Sequence, residues 1–332
     1  MTASRLARWA LGLLLTAALV AAGAGLGLFW LLKNPGPPME APVAAPGADP
    51  ARLEAAVRFL AAVEPPRNGQ NAEGLDKAAA YIAQAFAAAG CDLREQPFEL
   101  DHVTYRNVVC SFGPSSAPRV VLGAHYDVAG DSNPGADDNA SGVAGLLELA
   151  RLLGRSDPSL SHRIDLVAFT LEEPPYFHTE QMGSHRYARS LFEAGVVLKV
   201  MVTVEMIGFF SDAPGSQGYP VGALAWIYPD RGDFIGVVGR AFDRSEVARV
   251  RGLMAGSDDL PVHSINAPAA LVEIDFSDHW SFWQFGYPAV MVTDTAFYRN
   301  PNYHRPSDLP ETLDYRRMAL TVEGLYRVAV GF

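Results

Sequence analysis

The sequence predicts a three-layer α/β/α sandwich around a mixed, largely parallel sheet, preceded by one N-terminal transmembrane helix. Near-continuous apolar runs, typical of strands buried on both faces, alternate with amphipathic helical patterns. The 332 residues are 49% hydrophobic, which is enough for one large core. The chain contains no internal repeat, so a single domain of this class is expected after the N-terminal segment.

The first element is an uncharged stretch of 24 residues from Trp9 to Leu32. As a helix it would be about 36 Å long, enough to cross a hydrocarbon core. Arg5 and Arg8 precede it, and the positive-inside rule predicts that they stay cytoplasmic. A cleaved signal peptide is the alternative, although the apolar part of such peptides usually runs only about 7–15 residues.

Residues 1–33 are therefore predicted to be a membrane anchor or a signal segment. The body would be extracytoplasmic, held at the cell membrane by a single pass or secreted if the segment is cleaved. Residues 34–49 are rich in Pro and Ala without periodicity, which predicts an extended linker. The predicted folded domain covers residues 50–332.

Within this domain, helical periodicity and strand-like apolar runs succeed each other. Gly90 is a C-cap signal for the second helix, and Ser141 opens the third. A turn between the first two strands suggests a hairpin, and the next run, RVVLGAHYD, is almost entirely apolar until its end. Helices are predicted at 51–63, 75–89, 141–154, 184–194, 234–248 and 313–330, with a helical start at 277–285. Strands are predicted at 92–100, 105–112, 119–127, 162–173, 198–208 and 287–294.

Charge and cysteine content exclude several classes of protein. The net charge is −11, and since residues 1–33 carry +3, the rest of the chain carries −14. A body this acidic is repelled by phosphate backbones, so no nucleic-acid partner is expected. Two cysteines are too few for a disulfide scaffold or a cysteine-based zinc site. Cys91 and Cys110 lie in neighbouring predicted strands, where they either form a bridge in an oxidising compartment or pack as small apolar side chains.

Polar clusters follow the apolar runs, where the chemistry of α/β sheets gathers. Buried carboxylates at strand ends are costly unless a cation or a strong donor accompanies them, and few arginines lie nearby. Two imidazoles and several carboxylates without a thiolate suit zinc and tolerate manganese or cobalt. Taken singly, each cluster is equally consistent with a surface histidine, a capped turn or an exposed strand end. The clustered residues are His125, Asp127, Asp137, Asp138, Glu172, Glu173, Glu205 and His304.

Five ordered motifs resemble the co-catalytic zinc exopeptidases, the aminopeptidase family numbered twenty-eight among metallopeptidases. Its members include bacterial leucyl aminopeptidases, aminopeptidases S and Y, glutamate carboxypeptidase and glutaminyl cyclases. The resemblance runs from about residue 120 to residue 314. It rests on GAHYD, PGADDNASGVAG with the Glu172–Glu173 pair, EMIG, SDHWSFWQFGYPA and NYHRPSD, in the order of the family.

The resemblance implies roles for the first two motifs. His125 would bind one zinc. Asp127 would be a catalytic residue that orients the imidazole of His125. Asp137 would bridge both metals. In the family a cis peptide bond follows the bridging aspartate, and here it would join Asp137 to Asp138.

The later motifs would complete the centre. Glu173 and His304 would bind the second zinc, and Glu172 would be the general base. Glu205 would bind the first zinc, although the family most often has Asp at this position. The additional methylene moves the carboxylate by about 1 Å, while metal–oxygen distances allow little slack, ~2.0–2.2 Å. The first site could therefore be weaker, or the enzyme could work with one metal.

Three further residues are predicted to contact substrate. Asp278, in the SDH motif, would line the site or act as a helix start. Tyr298 and Tyr303 flank His304 and would stack on a substrate side chain or polarise a carbonyl, unless they only pack. The segment PPYFHTEQMGS is longer than the usual family link and is expected to form a rim of the pocket.

The resemblance implies a zinc aminopeptidase that releases N-terminal residues from peptides with a free N-terminus. Its partners would be those peptides, together with the membrane through residues 9–32. A glutaminyl-cyclase-like acyltransferase is one alternative, but such relatives use one zinc and lack a full second ligand set. A catalytically silent, membrane-tethered binding protein is another, as is a hydrolase of other amides.

Overall fold

The computed structural model describes residues 3–40, 44–256, 259–268, 271 and 273–332. The α-helices are α1 (Ala3–Lys33), α2 (Pro50–Ala61), α3 (Ala72–Ala88), α4 (Gly142–Ser156), α5 (Gly183–Glu193), α6 (Arg244–Met254), α7 (His279–Trp283) and α8 (Tyr315–Gly331). The strands are β1 (Asp92–Leu100), β2 (Val103–Phe112), β3 (Arg119–His125), β4 (Arg163–Phe169), β5 (Leu198–Glu205), β6 (Ile235–Arg240), β7 (Val262–Ala267) and β8 (Ala289–Thr293).

All eight strands form one mixed sheet in the order β1-β2-β4-β3-β5-β8-β6-β7. The central strands β4, β3, β5 and β8 are parallel neighbours, whereas β1–β2, β2–β4 and β6–β8 pair antiparallel. The carboxyl ends of the four central strands therefore meet at one edge of the sheet. Polar residues that follow these strands are brought together there.

The two faces of the sheet bury separate sets of side chains. Val120 and Leu122 of β3 pack in the larger core with α2, α3, α4, α6 and α8, while Val121 packs on the other face with α5 and α7. This alternation is the two-residue period of a strand covered on both sides. The predicted α/β/α sandwich with a mixed sheet is confirmed.

One predicted helix is wrong. Residues 234–248 were expected to be helical, but Ile235–Arg240 is strand β6, and helix α6 begins only at Arg244. A short apolar run such as IGVV fits either structure, and here pairing with β7 and β8 decides in favour of a strand. Strand β7, Val262–Ala267, had no sequence prediction and completes the edge of the sheet.

The N-terminal helix α1 packs little against the domain along most of its length. Its part from Leu11 to Lys33 is long and apolar enough to cross a membrane, judged by length and composition alone. A signal sequence near the N-terminus would meet the same criteria. Arg5 and Arg8 lie in α1, but their side chains are outside what the structure describes.

The segment after α1 lies on the domain instead of extending away from it. Its described residues, 34–40 and 44–49, form no helix or strand, yet the Met39 amide donates to the Gly252 carbonyl (2.8 Å) and the Asp49 amide donates to Glu148 Oε1 (2.8 Å). Residues 41–43 are outside the described part. The expected linker is thus irregular in backbone but attached to helices α4 and α6.

Cys91 and Cys110 form a disulfide bond, with Cα atoms 5.5 Å apart. Of the two arrangements that the sequence left open, the structure shows the bridge. It joins the entry of β1 to its hairpin partner β2.

Candidate metal centre

The candidate site lies at the carboxyl ends of the central strands. His125 is the last residue of β3, Glu205 is the last of β5, and the pair Glu172–Glu173 follows β4. The turn before α4 contributes Asp138, and the loop before α8 contributes His304. Residues almost 180 positions apart in the chain therefore converge because parallel strands end at the same edge.

One carboxylate lies between two groups of side chains. Asp138 Oδ1 is 3.3 Å from His125 Nε2, which is itself 3.4 Å from Glu205 Oε2. Asp138 Oδ2 is 3.0 Å from His304 Nε2, which is 3.2 Å from Glu173 Oε1. Each group places its donor atoms within 4.8 Å of one another. The arrangement could hold two neighbouring cations that share Asp138.

Asp138, and not the expected Asp137, lies in both groups of potential ligand side chains. Asp137 is absent from both groups: Oδ1 accepts a hydrogen bond from the Gly208 amide (3.0 Å) and Oδ2 accepts one from Asn300 Nδ2 (2.7 Å). The expected cis peptide is also wrong by one position, because it joins Asp138 to Asn139. The side chains of these two adjacent aspartates point in different directions, and the sequence does not show which of them faces the donor groups.

Asp127 connects His125 to the glutamate pair. Its carboxylate accepts hydrogen bonds from the amides of Glu172 (3.1 Å) and Glu173 (3.0 Å), and it lies 3.6 Å from His125 Nδ1. His125 Nδ1 is also 3.2 Å from the Asp127 carbonyl oxygen. Asp127 is thus placed to fix both the imidazole and the backbone that carries the two glutamates.

Glu205 reaches the site in spite of its longer side chain. Its Oε2 accepts hydrogen bonds from Ser277 Oγ (2.7 Å) and from Asn139 Nδ2 (3.3 Å). These two donors fix the carboxylate 3.4 Å from His125 Nε2. The extra methylene is therefore accommodated by specific neighbours, and the carboxylate remains beside the imidazole.

The carboxylates of the centre are buried together, which opposes their ionisation. Burial raises the pKa of Glu172 well above its ordinary range, raises the pKa of Glu173 to about 7, and raises that of Glu205. Burial also opposes the charging of His125, but Glu205 and Glu172 outweigh it and raise its pKa. A divalent cation among these groups would favour the ionised carboxylates.

The donor set fits such a cation. Asp138 Oδ2 and Glu173 Oε1 are buried and accept no well-formed hydrogen bond from the described residues. Buried carboxylate oxygens without a partner are expensive, and a metal ion is one of the few groups that can satisfy them. Imidazole and carboxylate donors without thiolate are typical of zinc centres that carry out hydrolysis.

Arg67 is a residue that the sequence reading missed. Its buried guanidinium donates to five backbone carbonyls, which belong to Leu60, Tyr126, Asp127, Pro134 and Gly135. Burial lowers the pKa of Arg67 to about 10, so it remains protonated at neutral pH. It joins the loop after β3 to the turn that carries Asp138. No signal in the sequence marks this arginine, because its partners are main-chain atoms.

Asp308 was also missed, although it ends the motif NYHRPSD. Its carboxylate accepts hydrogen bonds from the amides of Asp137 (3.0 Å) and Asp138 (3.1 Å). Burial and the nearby Asp137 raise the pKa of Asp308 to about 7. The motif therefore contributes a second group, which holds the backbone of the shared carboxylate.

An apolar cavity, partly open to solvent, adjoins Glu205 and includes Tyr298 and Tyr303 in its wall. Tyr303 stacks on the His304 ring with centroids 3.8 Å apart, and the Tyr298 hydroxyl donates to Glu273. Asp278 is buried beside the centre, where burial raises its pKa to about 7 in spite of the nearby His125. All three predicted substrate residues thus lie at the centre or at its cavity.

The segment PPYFHTEQMGS packs at one side of this cavity. The His178 ring stacks between Phe177 (4.1 Å) and Trp280 (4.8 Å), and meets Phe276 edge-on. Phe276 belongs to the wall of the cavity. The segment therefore forms an aromatic border beside the cavity.

Sequence comparisons place this arrangement among known proteins. A sequence model of Peptidase family M28 matches residues 107–328. The uncharacterized protein YfbL of Escherichia coli is 46% identical over 285 residues, which are 84% of this chain and 87% of YfbL. Leucine aminopeptidase 1 of Ajellomyces dermatitidis is 25% identical over 227 residues, which are 64% of this chain; the chain spans about half (52%) of that protein.

Solved structures share the fold at low sequence identity. The LapA aminopeptidase of Legionella pneumophila superposes with a TM-score of 0.69 at 20% identity, covering 86% of this chain and 72% of LapA. The glutaminyl cyclase of Porphyromonas gingivalis superposes with a TM-score of 0.63 at 20% identity, covering 84% of this chain and 97% of the cyclase. At this level of identity the likeness establishes the fold.

The contacts of Arg67 predict a large loss of stability in the Arg67→Lys variant. An ammonium has three donors, so at least two of the five buried carbonyls would lose their partner, at about 1–3 kcal/mol each. Chemical denaturation of the full-length protein would measure the loss. As the control, Arg58→Lys alters an exposed ion pair with Glu311 and should change stability by less than about 0.5 kcal/mol. Equal stability of the two variants would contradict the role assigned to Arg67.

Proposed function

Because this chain belongs to peptidase family M28, we propose that it is a zinc-dependent aminopeptidase that releases N-terminal residues from peptides. The observation that carries the proposal is the position of Asp138, whose two oxygens face two separate groups of donor side chains. A carboxylate shared in this way is suited to a two-metal hydrolytic centre. The aminopeptidases among its relatives support the same reaction.

The two ions would be held by overlapping ligand sets. His125, Asp138 and Glu205 would bind one zinc, and Asp138, Glu173 and His304 would bind the other. Manganese or cobalt could replace zinc at such a donor set. When bound, the ions supply Lewis acidity that polarises the scissile carbonyl and lowers the pKa of the attacking water.

Glu172 is the proposed general base. Its Oε2 lies 3.9 Å from His125 Nε2, at the border of the centre, while its neighbour Glu173 faces His304. The Asp127 carboxylate accepts hydrogen bonds from the amides of both glutamates and thereby fixes the backbone from which their side chains point to different sides of the centre. Glu172 would accept a proton from the attacking water and pass it to the departing amine.

The surroundings of the centre favour a substrate with a free N-terminus. Asp278 is buried near His125, beside the carboxylates that would hold the ions, and in its ionised form provides negative charge for an ammonium group. The cavity beside Glu205, bordered by Tyr298 and Tyr303, would receive an apolar or aromatic side chain. An acylated terminus would bring no positive charge to balance these carboxylates.

A glutaminyl-cyclase-like acyltransferase is the second candidate, because a solved cyclase shares the fold. The presence of two complete donor groups favours hydrolysis, since the cyclases to which the sequence is similar use one zinc. A catalytically silent binding protein would have no need of Glu172 beside a full set of ligands.

We also propose that α1 anchors the protein in the cell membrane with the domain outside the cytoplasm. The 23-residue apolar span from Leu11 to Lys33 supports the anchor, and the Cys91–Cys110 disulfide suits an oxidising compartment. A cleaved signal segment would release the same domain outside the cell.

The reaction is tested with two peptide pools. The full-length protein in detergent micelles, stripped of metal by a chelator and reloaded with zinc, is given free-amine peptides and the same peptides N-acetylated. Mass spectrometry should show stepwise loss of N-terminal residues from the free-amine pool only, and only after zinc is restored. Cyclised N-terminal glutamine would support the cyclase instead, and unchanged pools would support a binding protein.

The role of Glu172 predicts a variant that binds metal without turning over. Glu172→Gln should keep the metal content of the parent, because Glu172 belongs to neither of the two groups that share Asp138, although it could join a third group with His125 and Glu173. Turnover should fall by roughly 10²–10⁴-fold, since the amide cannot accept the proton. Elemental analysis and steady-state kinetics measure the two quantities on one preparation. Full activity of the variant would mean that another residue is the base.

Adjacent aspartates offer a matched test of the metal centre. Asp138→Asn should weaken zinc binding by more than about 100-fold, because both ions would lose a charged ligand. The loss of a residue that only hydrogen-bonds to a ligand typically lowers metal affinity by about 10–100-fold, and the loss of a ligand should exceed it. Asp137→Asn should keep the metal, since an amide still accepts the hydrogen bond from the Gly208 amide. Equilibrium dialysis followed by elemental analysis compares the two. Retention by the first variant and loss by the second would reverse the assignment.

A further inference from the structure

We propose that the face of the domain around the end of α1 rests on the surface of the lipid bilayer, with Trp226 and Phe242 among the headgroups. This interfacial face consists of residues 221–228 and 240–244 and the last turn of α1. The inference rests on the proposed membrane anchor and goes beyond the proposed peptidase reaction. It concerns how the domain is oriented on the membrane.

The two aromatic side chains are unusually exposed. Phe242 is 91% exposed and Trp226 is 88% exposed, more than any other large apolar side chain described in residues 34–332. Neither lies in the wall of the apolar cavity. A tryptophan ring is amphipathic and is enriched at the interface between membrane and water. Two exposed aromatic rings beside the end of an apolar span form a surface that a membrane can cover.

Two side chains of strand β7 donate hydrogen bonds to the last turn of α1. Asn266 Nδ2 of β7 donates to the Leu31 carbonyl (2.6 Å), and Ser264 Oγ donates to the Lys33 carbonyl (3.1 Å). These bonds satisfy carbonyls that a helix end otherwise leaves without partners. The end of the apolar span is thus fixed to the edge strand of the sheet.

The exposed rings belong to the same two segments that contact this helix end. Lys33 Nζ donates to the Ile227 carbonyl (2.7 Å), and Arg244 donates to the Trp30 carbonyl (3.3 Å). Trp226 is next to Ile227, and Phe242 is two residues before Arg244. Since consecutive Cα atoms are about 3.8 Å apart, both backbones lie within about 8 Å of the Cα atom of a residue that contacts α1.

The length of the span sets the depth of this face. The 23 residues from Leu11 to Lys33 make a helix of about 34 Å, close to the thickness of a hydrocarbon core, about 30 Å. If α1 spans the bilayer, its last turn lies at the headgroups, and so do the segments that hold it. The aromatic rings at these segments then have the lipid surface as their partner.

Charge supports a lipid surface as the partner. The body of the chain carries −14, yet helix α6 carries Arg244, Arg249 and Arg251 against a single acid, Glu246. Lys33 adds a further positive charge at the end of α1. Basic residues next to a span are attracted to anionic headgroups in the leaflet that faces them.

The test uses single cysteines labelled with an environment-sensitive fluorophore in the full-length protein. The native cysteines are paired in the disulfide and do not compete for the label. Trp226→Cys and Phe242→Cys report on the interfacial face, and Phe192→Cys, at an exposed position (56%) on α5, is the matched control. Leu19→Cys reports on the middle of α1. Each variant is placed in nanodiscs of zwitterionic and anionic lipid that carry a quencher at a shallow or a deep acyl position.

The shallow quencher should reduce the fluorescence at positions 226 and 242 at least about 3-fold more than at position 192, as expected for rings at the headgroup boundary. Quenching at position 19 by the deep quencher, without shallow quenching at 226 and 242, would overturn the inference and leave the anchor intact. Equal quenching at 192, 226 and 242 would overturn it as well.

Two further readouts separate this inference from the proposals on which it depends. Absence of deep quenching at position 19 would show that α1 does not span, and the inference would fall with the anchor. Protection of positions 226 and 242 from aqueous iodide without lipid quenching would identify a protein partner or a second copy, which also overturns it. Cleavage of a soluble peptide by the same samples reports the peptidase reaction independently of orientation.

Discussion

The structure depends on the balance of charge where the central strands end. Asp138, Glu172, Glu173 and Glu205 are buried together, with His125 as the buried imidazole among them. No arrangement of neutral donors alone makes such a group of carboxylates favourable, because each ionised oxygen must be compensated in a low dielectric. The proposed pair of divalent cations would supply this compensation, and the Asp138 oxygens are divided between the two groups of side chains that would hold them.

Around this centre, several buried polar side chains form hydrogen bonds with main-chain atoms of the loops. Asp127 holds the amides of Glu172 and Glu173, Asp308 holds the amide of Asp138, and Arg67 holds carbonyls on both sides. Buried groups of this kind stabilise loops that would otherwise leave main-chain atoms without partners. The surroundings of the centre therefore keep the proposed ligand carboxylates in position despite their mutual repulsion.

One segment of the chain, residues 221–228, lies between the end of α1 and the apolar cavity beside the candidate metal centre. The segment that carries Trp226 also contributes Leu224 and Tyr228 to the wall of the apolar cavity. Lys33, at the end of α1, lies over the Tyr228 ring at 5.0 Å. The proposed anchor is therefore a neighbour of the proposed substrate cavity, and the orientation of the domain on a membrane would determine which solutes reach that cavity.

The sequence by itself determined the layers of the fold and the parallel strands at its centre, because their long apolar runs permit no other burial. Polar residues that follow these strands drew attention to His125, Glu173 and Glu205, and the resemblance to the zinc exopeptidases singled out these three together with His304 as ligands. Tertiary structure alone decided that Asp138 rather than its neighbour is shared between the two groups, because the direction of a side chain in a turn depends on distant partners. For the same reason it decided that residues 235–240 pair as a strand, since an apolar run this short takes its conformation from the strands beside it.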